Sequence, residues 1–199
     1  MNKMRLGVFS GTFDPIHFGH VEACRSAMAK CALDKVYLLL ERSPHRKQLV
    51  APHQDRLKMM DLATKDSPSI TPIDLKTDNI TTENTLEYLR EQDPMAEYWY
   101  IFGSDILEHI ESWKGLENLL NNFHLCVALR DNADRQDVKN KLERLTSNYG
   151  ARYVVLPTVW STVSSSVAKN ALPHAEDYLD TLVQKYIIDN NLYSSASSK

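Results

Sequence analysis

Residues 7–20 read Gly7-Val8-Phe9-Ser10-Gly11-Thr12-Phe13-Asp14-Pro15-Ile16-His17-Phe18-Gly19-His20. An apolar run from Leu6 to Phe9 empties into a loop of small and polar residues, and the spacing from Val21 to Ala32 predicts a helix beyond it. An apolar run without alternation is what a strand covered on both faces requires, so this stretch opens a βαβ unit. Gly11 permits a tight backbone approach, Pro15 stiffens the turn, and Gly19 lies where a side chain would crowd a ligand over the helix start. His17 and His20 point into one pocket beside the free amides and the positive end of the helix dipole, which is a site for phosphate. The dipole alone contributes about 0.3–1 kcal/mol, or ~2 when partly buried, so imidazole donors are needed to hold a polyphosphate.

The same rhythm continues along the chain. Val36 to Leu40, Tyr98 to Phe102, Leu125 to Leu129 and Tyr153 to Leu156 are short, nearly all-apolar strands, with a less regular one at Ile70 to Leu75. Helical spacing covers Gln54 to Lys65, Thr82 to Gln92, Leu116 to Asn121, Ala133 to Ser147 and Tyr178 to Asn191. Right-handed crossovers put such helices on both faces of one sheet, giving an α/β, Rossmann-like, doubly wound, mainly parallel architecture. No repeat or linker divides the chain, so residues 1–193 are read as one domain, followed by a disordered tail over 194–199. In this architecture ligands bind outside the carboxyl ends of the strands, so the chemistry is expected in the loops that follow them.

Composition limits the partners. The 199 residues carry 23 Lys plus Arg against 26 Asp plus Glu, a formal net charge of −3, which gives no global field for a nucleic-acid backbone or an acidic membrane. Any anion site is therefore local. The expected partners are small molecules, with no nucleic acid and no membrane, and a homo-oligomer is one of the states left open. A chain of this length buries roughly 70% of its unfolded surface and needs no staple. The three cysteines, Cys24, Cys31 and Cys126, lie in apolar or helical surroundings and read as reduced core thiols of a cytoplasmic protein. The N-terminal apolar run is too short for a signal segment or a membrane span.

Three more loops carry unusual chemistry. Glu41-Arg42-Ser43-Pro44-His45-Arg46-Lys47 is a cation cluster after the second strand; Phe102-Gly103-Ser104-Asp105 leads from a strand into a helix, with Trp113 beyond; Val163-Ser164-Ser165-Ser166-Val167-Ala168-Lys169 opens a late helix. Each has a plain structural reading: a solvated charge run, a core tryptophan, a serine cap. The two histidines could likewise fill a structural turn, or join Cys24 as three zinc ligands, although no fourth ligand is evident and no metal site is expected. Ser10 is not in the G-x-S-x-G setting of a hydrolase nucleophile.

The run Gly11-Thr12-Phe13-Asp14-Pro15-x-His17-x-Gly19-His20 resembles the G-T-F-D-P-x-H-x-G-H signature of the nucleotidylyltransferase superfamily. The segment from Ser43 to Arg46 resembles the P-P-H-K/R loop of bacterial nicotinate-mononucleotide adenylyltransferases. Arg56-Leu57-x-Met59-Met60 is similar to that family's R-x-x-M-L helix, and Arg56 is read as a structural ion-pair partner rather than as a ligand. Tyr100 to Leu107 with Trp113 resembles I-I-G-x-D-x-L…W, and Val163 to Lys169 resembles I-S-S/A-T-x-x-R, with Lys169 in the arginine position. The close Tyr186-Ile187…Leu192-Tyr193 extends the likeness almost to the end.

The resemblance implies adenylyl transfer from ATP to nicotinate mononucleotide in NAD biosynthesis. Catalytic roles fall on His17, His20, His45 and Arg46. ATP contacts fall on Ser10, Gly11, Thr12, Phe13, Gly19, Gly103, Asp105, Arg130, Ser164, Ser166 and Lys169; mononucleotide contacts fall on Asp14, Thr82 and Trp113. Mg2+ is implied as a cofactor carried mainly by the ATP phosphates. The sequence departs from the pattern at Thr81, where the family has tyrosine, at Lys114 after the tryptophan, and at Asp131-Asn132 after Arg130. The ATP half therefore matches better than the half that selects the mononucleotide, and nicotinamide mononucleotide and phosphopantetheine remain alternative acceptors. A protein that binds nucleotide without turnover is a further alternative.

Overall fold

In the computed structural model, residues 3–42, 50–129, 135–157 and 163–194 are described. Six parallel strands, β1 (Arg5–Gly11), β2 (Lys35–Leu40), β3 (Ile70–Ile73), β4 (Glu97–Gly103), β5 (Phe123–Ala128) and β6 (Tyr153–Leu156), form one sheet in the order β3-β2-β1-β4-β5-β6. Strand order reverses between β1 and β4, so the crevice for a ligand lies above their carboxyl ends.

Alternation along the strands divides the core in two. Val36, Leu38 and Leu40 of β2 face a cluster that holds Val21, Cys24 and Ala27 of α1 (Phe18–Cys31) and Met59 and Met60 of α2 (His53–Ala63). Tyr37 and Leu39 face the opposite cluster, built from Leu86 and Leu89 of α3 (Thr82–Gln92), Leu119 of α4 (Leu116–Asn122) and Leu142 of α5 (Arg135–Tyr149). Ala168 of α6 (Ser165–Ala171) and Val183 and Ile187 of α7 (Thr181–Asp189) complete the first side. Helices thus cover both faces, as a doubly wound sheet requires.

Local chemistry sets the boundaries. The ends of α3 are as expected, because Thr81 caps it: its hydroxyl accepts from the Asn84 backbone amide at 3.2 Å while the Thr81 backbone amide donates to Asn84 Oδ1 at 2.9 Å, a contribution of about 1 kcal/mol. α1 starts earlier than the apolar spacing indicates, at Phe18, where the extended His17 is the N-cap position and its amide donates to His20 Nδ1. α7 starts later, at Thr181, where Asp180 accepts from the Leu182 amide. The helix expected directly after Gly103 is instead two 3-10 turns, Ser104–Glu108 and Ile110–Ser112, where amides such as those of His109 and Ser112 donate three residues back, to Ile106 and His109. β3 ends at Ile73 rather than Leu75, because Asp74 turns into an ion pair with Arg42. Of the tail over 194–199, residues 195–199 lie outside the described residues, and the Ser194 hydroxyl bonds to the Asn191 carbonyl.

Candidate active site

The loop from β1 to α1 is held from below. Arg56, fully buried on α2, donates to the carbonyls of Thr12 at 2.7 Å and Glu41 at 2.8 Å, so its partners are backbone oxygens rather than the ion pair expected. Phe13 has φ 44°, a left-handed conformation rare for a bulky residue, and its ring is buried edge-on to Phe9 and His20. A Cβ on Gly11 would come within 3.2 Å of that ring, which is the local reason for glycine there. Strain of this kind persists only where the surroundings over-determine it, and it concentrates at functional sites.

On this platform the rings of His17 and His20 stack with centroids 3.6 Å apart and planes 28° from parallel. The His17 amide donates to His20 Nδ1 at 3.2 Å. With Nδ1 accepting, a neutral His20 carries its proton on Nε2 and presents it as a donor away from the backbone. The pair stands at the N-terminus of a 14-residue helix, whose dipole favours an anion at the same place.

Ser10, expected at ATP, has its hydroxyl 2.7 Å from that of Tyr100 on β4, which ties the two strands of the switch point together. Burial pushes the Tyr100 hydroxyl up to about 12, so it stays protonated. Sequence reading missed this pair; a tyrosine inside an otherwise apolar strand was the available signal, because its hydroxyl must find a partner. Gly103 ends β4 at the same edge, and the exposed Asp105 follows in the first 3-10 turn.

Asp14, expected at the mononucleotide, is turned inward and only 4% exposed. Its Oδ1 accepts from the Ala51 amide at 3.1 Å and the Tyr193 hydroxyl at 2.7 Å, and its Oδ2 accepts from the Val50 amide at 3.0 Å. Lys169 on α6 lies 3.7 Å from Oδ2. The Ser165 hydroxyl donates to the Pro15 carbonyl at 2.9 Å, docking α6 onto the signature loop. Ser164 caps α6 through the Val167 amide, Ser166 is exposed, and Gly19 is the second residue of α1.

Thr82 opens α3 and Trp113 follows the second 3-10 turn, packed on the core face opposite α1 and α6. Their segments meet where Asn118 donates to Glu83 at 3.1 Å. His45, Arg46 and Arg130 lie outside the described residues. Arg42, which follows β2, makes paired bonds of 3.1 and 2.7 Å to Asp74, which also accepts from His53 at 3.0 Å. The Arg42 bonds, with help from the Lys76 amide and His53, hold the Asp74 carboxyl well below the usual range against the effect of burial. A groove of about 470 Å³ along α3 is lined by Glu83, Glu87 and Glu91 against a single cation, Arg90, and so carries a net negative charge.

Among the described residues no three His, Cys, Asp or Glu side chains come together to hold a metal, and no helix is long and apolar enough to cross a membrane. The site is a cluster of imidazole, amide and ammonium donors around a buried carboxylate.

A model of the cytidylyltransferase-like family matches residues 8–195. The chain belongs to that family. This cytidylyltransferase-like chain is 30% identical over 200 residues to a probable nicotinate-nucleotide adenylyltransferase of Carboxydothermus hydrogenoformans, covering 97% of this chain and 100% of that protein. A protein of the same description from Lachnoclostridium phytofermentans is 28% identical, with 95% and 98% covered. The nicotinic acid mononucleotide adenylyltransferase of Plasmodium falciparum, solved in complex with NaAD, has the same fold with a TM-score of 0.77 at 21% identity, covering 96% of this chain and 98% of that one. Within the cytidylyltransferase-like family the chain therefore falls among the nicotinate-nucleotide adenylyltransferases, and it is a nucleotidyltransferase.

Proposed function

We propose that the protein transfers the adenylyl group of ATP to nicotinate mononucleotide, forming nicotinate adenine dinucleotide and pyrophosphate for NAD biosynthesis. The observation that carries this reading is the stacked His17–His20 pair at the α1 N-terminus, set at the strand-order reversal on a loop whose Asp14 faces Lys169. The acceptor's 5′-phosphate is ionised at neutral pH, so it attacks the α-phosphorus without a general base; the bond from the α-phosphorus to the bridging oxygen breaks, and pyrophosphate leaves with the electron pair. Placement does most of the work, with proximity contributing about 7–11 kcal/mol.

In this scheme His17 and His20 donate to the α- and β-phosphates, and His45 and Arg46 cover the incoming phosphate. Ser164, Ser166 and Lys169 steady the leaving group, and Arg130, Gly103 and Asp105 complete the nucleotide side. Trp113 and Thr82 receive the pyridine ring and its carboxylate. Donors of this type suit phosphate oxygens rather than a cation, and both oxygens of Asp14 are already engaged. Mg2+ would therefore be held by the nucleotide phosphates and water, where it neutralises charge. Three buried thiols are in keeping with a reducing cytoplasm.

The test is pyrophosphate release from ATP with nicotinate mononucleotide, nicotinamide mononucleotide and phosphopantetheine in parallel. The highest kcat/KM is expected with the first. A higher value with either of the others overturns the acceptor assignment.

A further inference from the structure

Tyr193 stands just before the small, polar C-terminal stretch, where exposure would be expected, yet it is 6% exposed. Its φ is 65°, a left-handed conformation that a bulky residue keeps only when its surroundings impose it. The imposed contact is with the signature loop: its hydroxyl donates to Asp14 Oδ1 at 2.7 Å. Burial first, and then that bond to an anion, push the hydroxyl's pKa up, so it remains a donor.

The face of the same ring carries the Lys169 ammonium, 5.5 Å from its centroid. That ammonium also lies 3.7 Å from Asp14 Oδ2, within ion-pair range but too far for a hydrogen bond. It is thus held by the field of a carboxylate and a ring rather than by directed bonds, and its N–H donors remain to be aimed elsewhere. A lysine has a flexible stem and lacks the preorganised fork of arginine, so its position must come from neighbours. We infer that Tyr193 is a positioning residue for the nucleotide phosphates, its ring and its bond to Asp14 together fixing the Lys169 ammonium beside the β1–α1 loop.

The inference rests on Lys169 as a phosphate ligand, the role proposed for it in adenylyl transfer. The test is a double-mutant cycle on the full chain, Tyr193→Leu against Lys169→Ala, with ATP affinity measured by calorimetry without acceptor and KM and kcat measured with it. Tyr193→Leu is expected to weaken ATP binding about three- to tenfold, the worth of an ordinary cation–π contact, and to raise KM more than it lowers kcat. In the Lys169→Ala background the same change is expected to add nothing. If Tyr193→Leu lowers only the melting temperature, or weakens ATP binding equally in both backgrounds, the positioning role is overturned. Should that variant not fold, Tyr193→Phe keeps the ring and removes only the bond to Asp14, and zero coupling to Lys169→Ala there overturns the joint role of ring and bond. If Lys169→Ala leaves ATP affinity unchanged, the underlying phosphate-ligand reading fails. An inactive acceptor panel would leave the calorimetric cycle intact, so the two failures are distinguishable.

Discussion

His17 and His20 stack at 3.6 Å between centroids, and the His17 backbone amide locks the orientation of the His20 ring through Nδ1. Each imidazole therefore fixes the other, and the pair behaves as one preorganised donor. Removing an oriented donor from the developing charge of a transition state costs roughly 10²–10³ in turnover. His20→Ala is expected to lower kcat by that order while leaving the circular dichroism spectrum unchanged. His17→Ala should do the same, and the double variant should fall short of the product of the two losses, because groups that act as a unit are not additive. Pyrophosphate release measures all three, and a wild-type rate in His20→Ala would sink the assignment.

Asp14→Asn is expected to act on stability. The carboxylate accepts three hydrogen bonds and faces one ammonium, so an amide in its place turns an N–H2 toward at least one of those donors. A buried acceptor exchanged for a donor in this way costs about 2–4 kcal/mol. Urea unfolding should show a lower midpoint with an unchanged slope. An unchanged midpoint would mean that the hub carries no weight in the fold.

The sheet and the Asp14 hub differ in how plainly the sequence shows them. The sheet is legible because near-continuous apolar runs such as Val36–Leu40 and Tyr153–Leu156 fit a parallel strand covered on both faces, and the His17–His20 spacing at the end of the first run locates the anion site. Asp14 is not legible as a buried hub, because its partners come from positions 50, 51, 169 and 193, and no local pattern joins them. Tyr193 stands out in the sequence only as part of the C-terminal likeness. An isolated Leu192-Tyr193 pair before a polar end is the one hint that the ring packs. The 3-10 turns after Gly103 read as a helix start because periodicity over a few residues cannot separate 3-10 from α geometry.

The thiols are expected to be inert in the native protein. Cys24, Cys31 and Cys126 are all buried; burial pushes the Cys24 thiol up, while the contact between the Cys31 and Cys126 sulfurs, 3.6 Å apart, pushes Cys126 up and Cys31 down, so Cys31 is protected by its burial rather than by its pKa. Only a thiolate reacts with disulfide reagents, and the fraction present at neutral pH falls as the pKa rises. Titration with an aromatic disulfide should label none of the three in native buffer and all three in denaturant. Labelling of Cys31 or Cys126 ahead of unfolding would contradict the packing between α1 and β5.

The last expectation concerns pH and the amino end of the sheet. His124 on β5 stacks on Trp99 of β4 with centroids 4.5 Å apart, and its Nε2 lies 3.3 Å from Glu97 without the alignment of a hydrogen bond. Burial, reinforced by the positive charges of Arg152 and Arg5, lowers its pKa from the usual 6.5, and Glu97 only partly opposes this. A histidine whose folded value is depressed binds fewer protons folded than unfolded. Stability is then lost as pH falls through about 6.5 and levels off below the folded value. His124→Phe keeps an aromatic ring on Trp99 and removes the titrating group. Urea midpoints between pH 7.5 and 5 should fall more steeply in the wild type than in His124→Phe, and parallel slopes would show that His124 does not set the acid sensitivity.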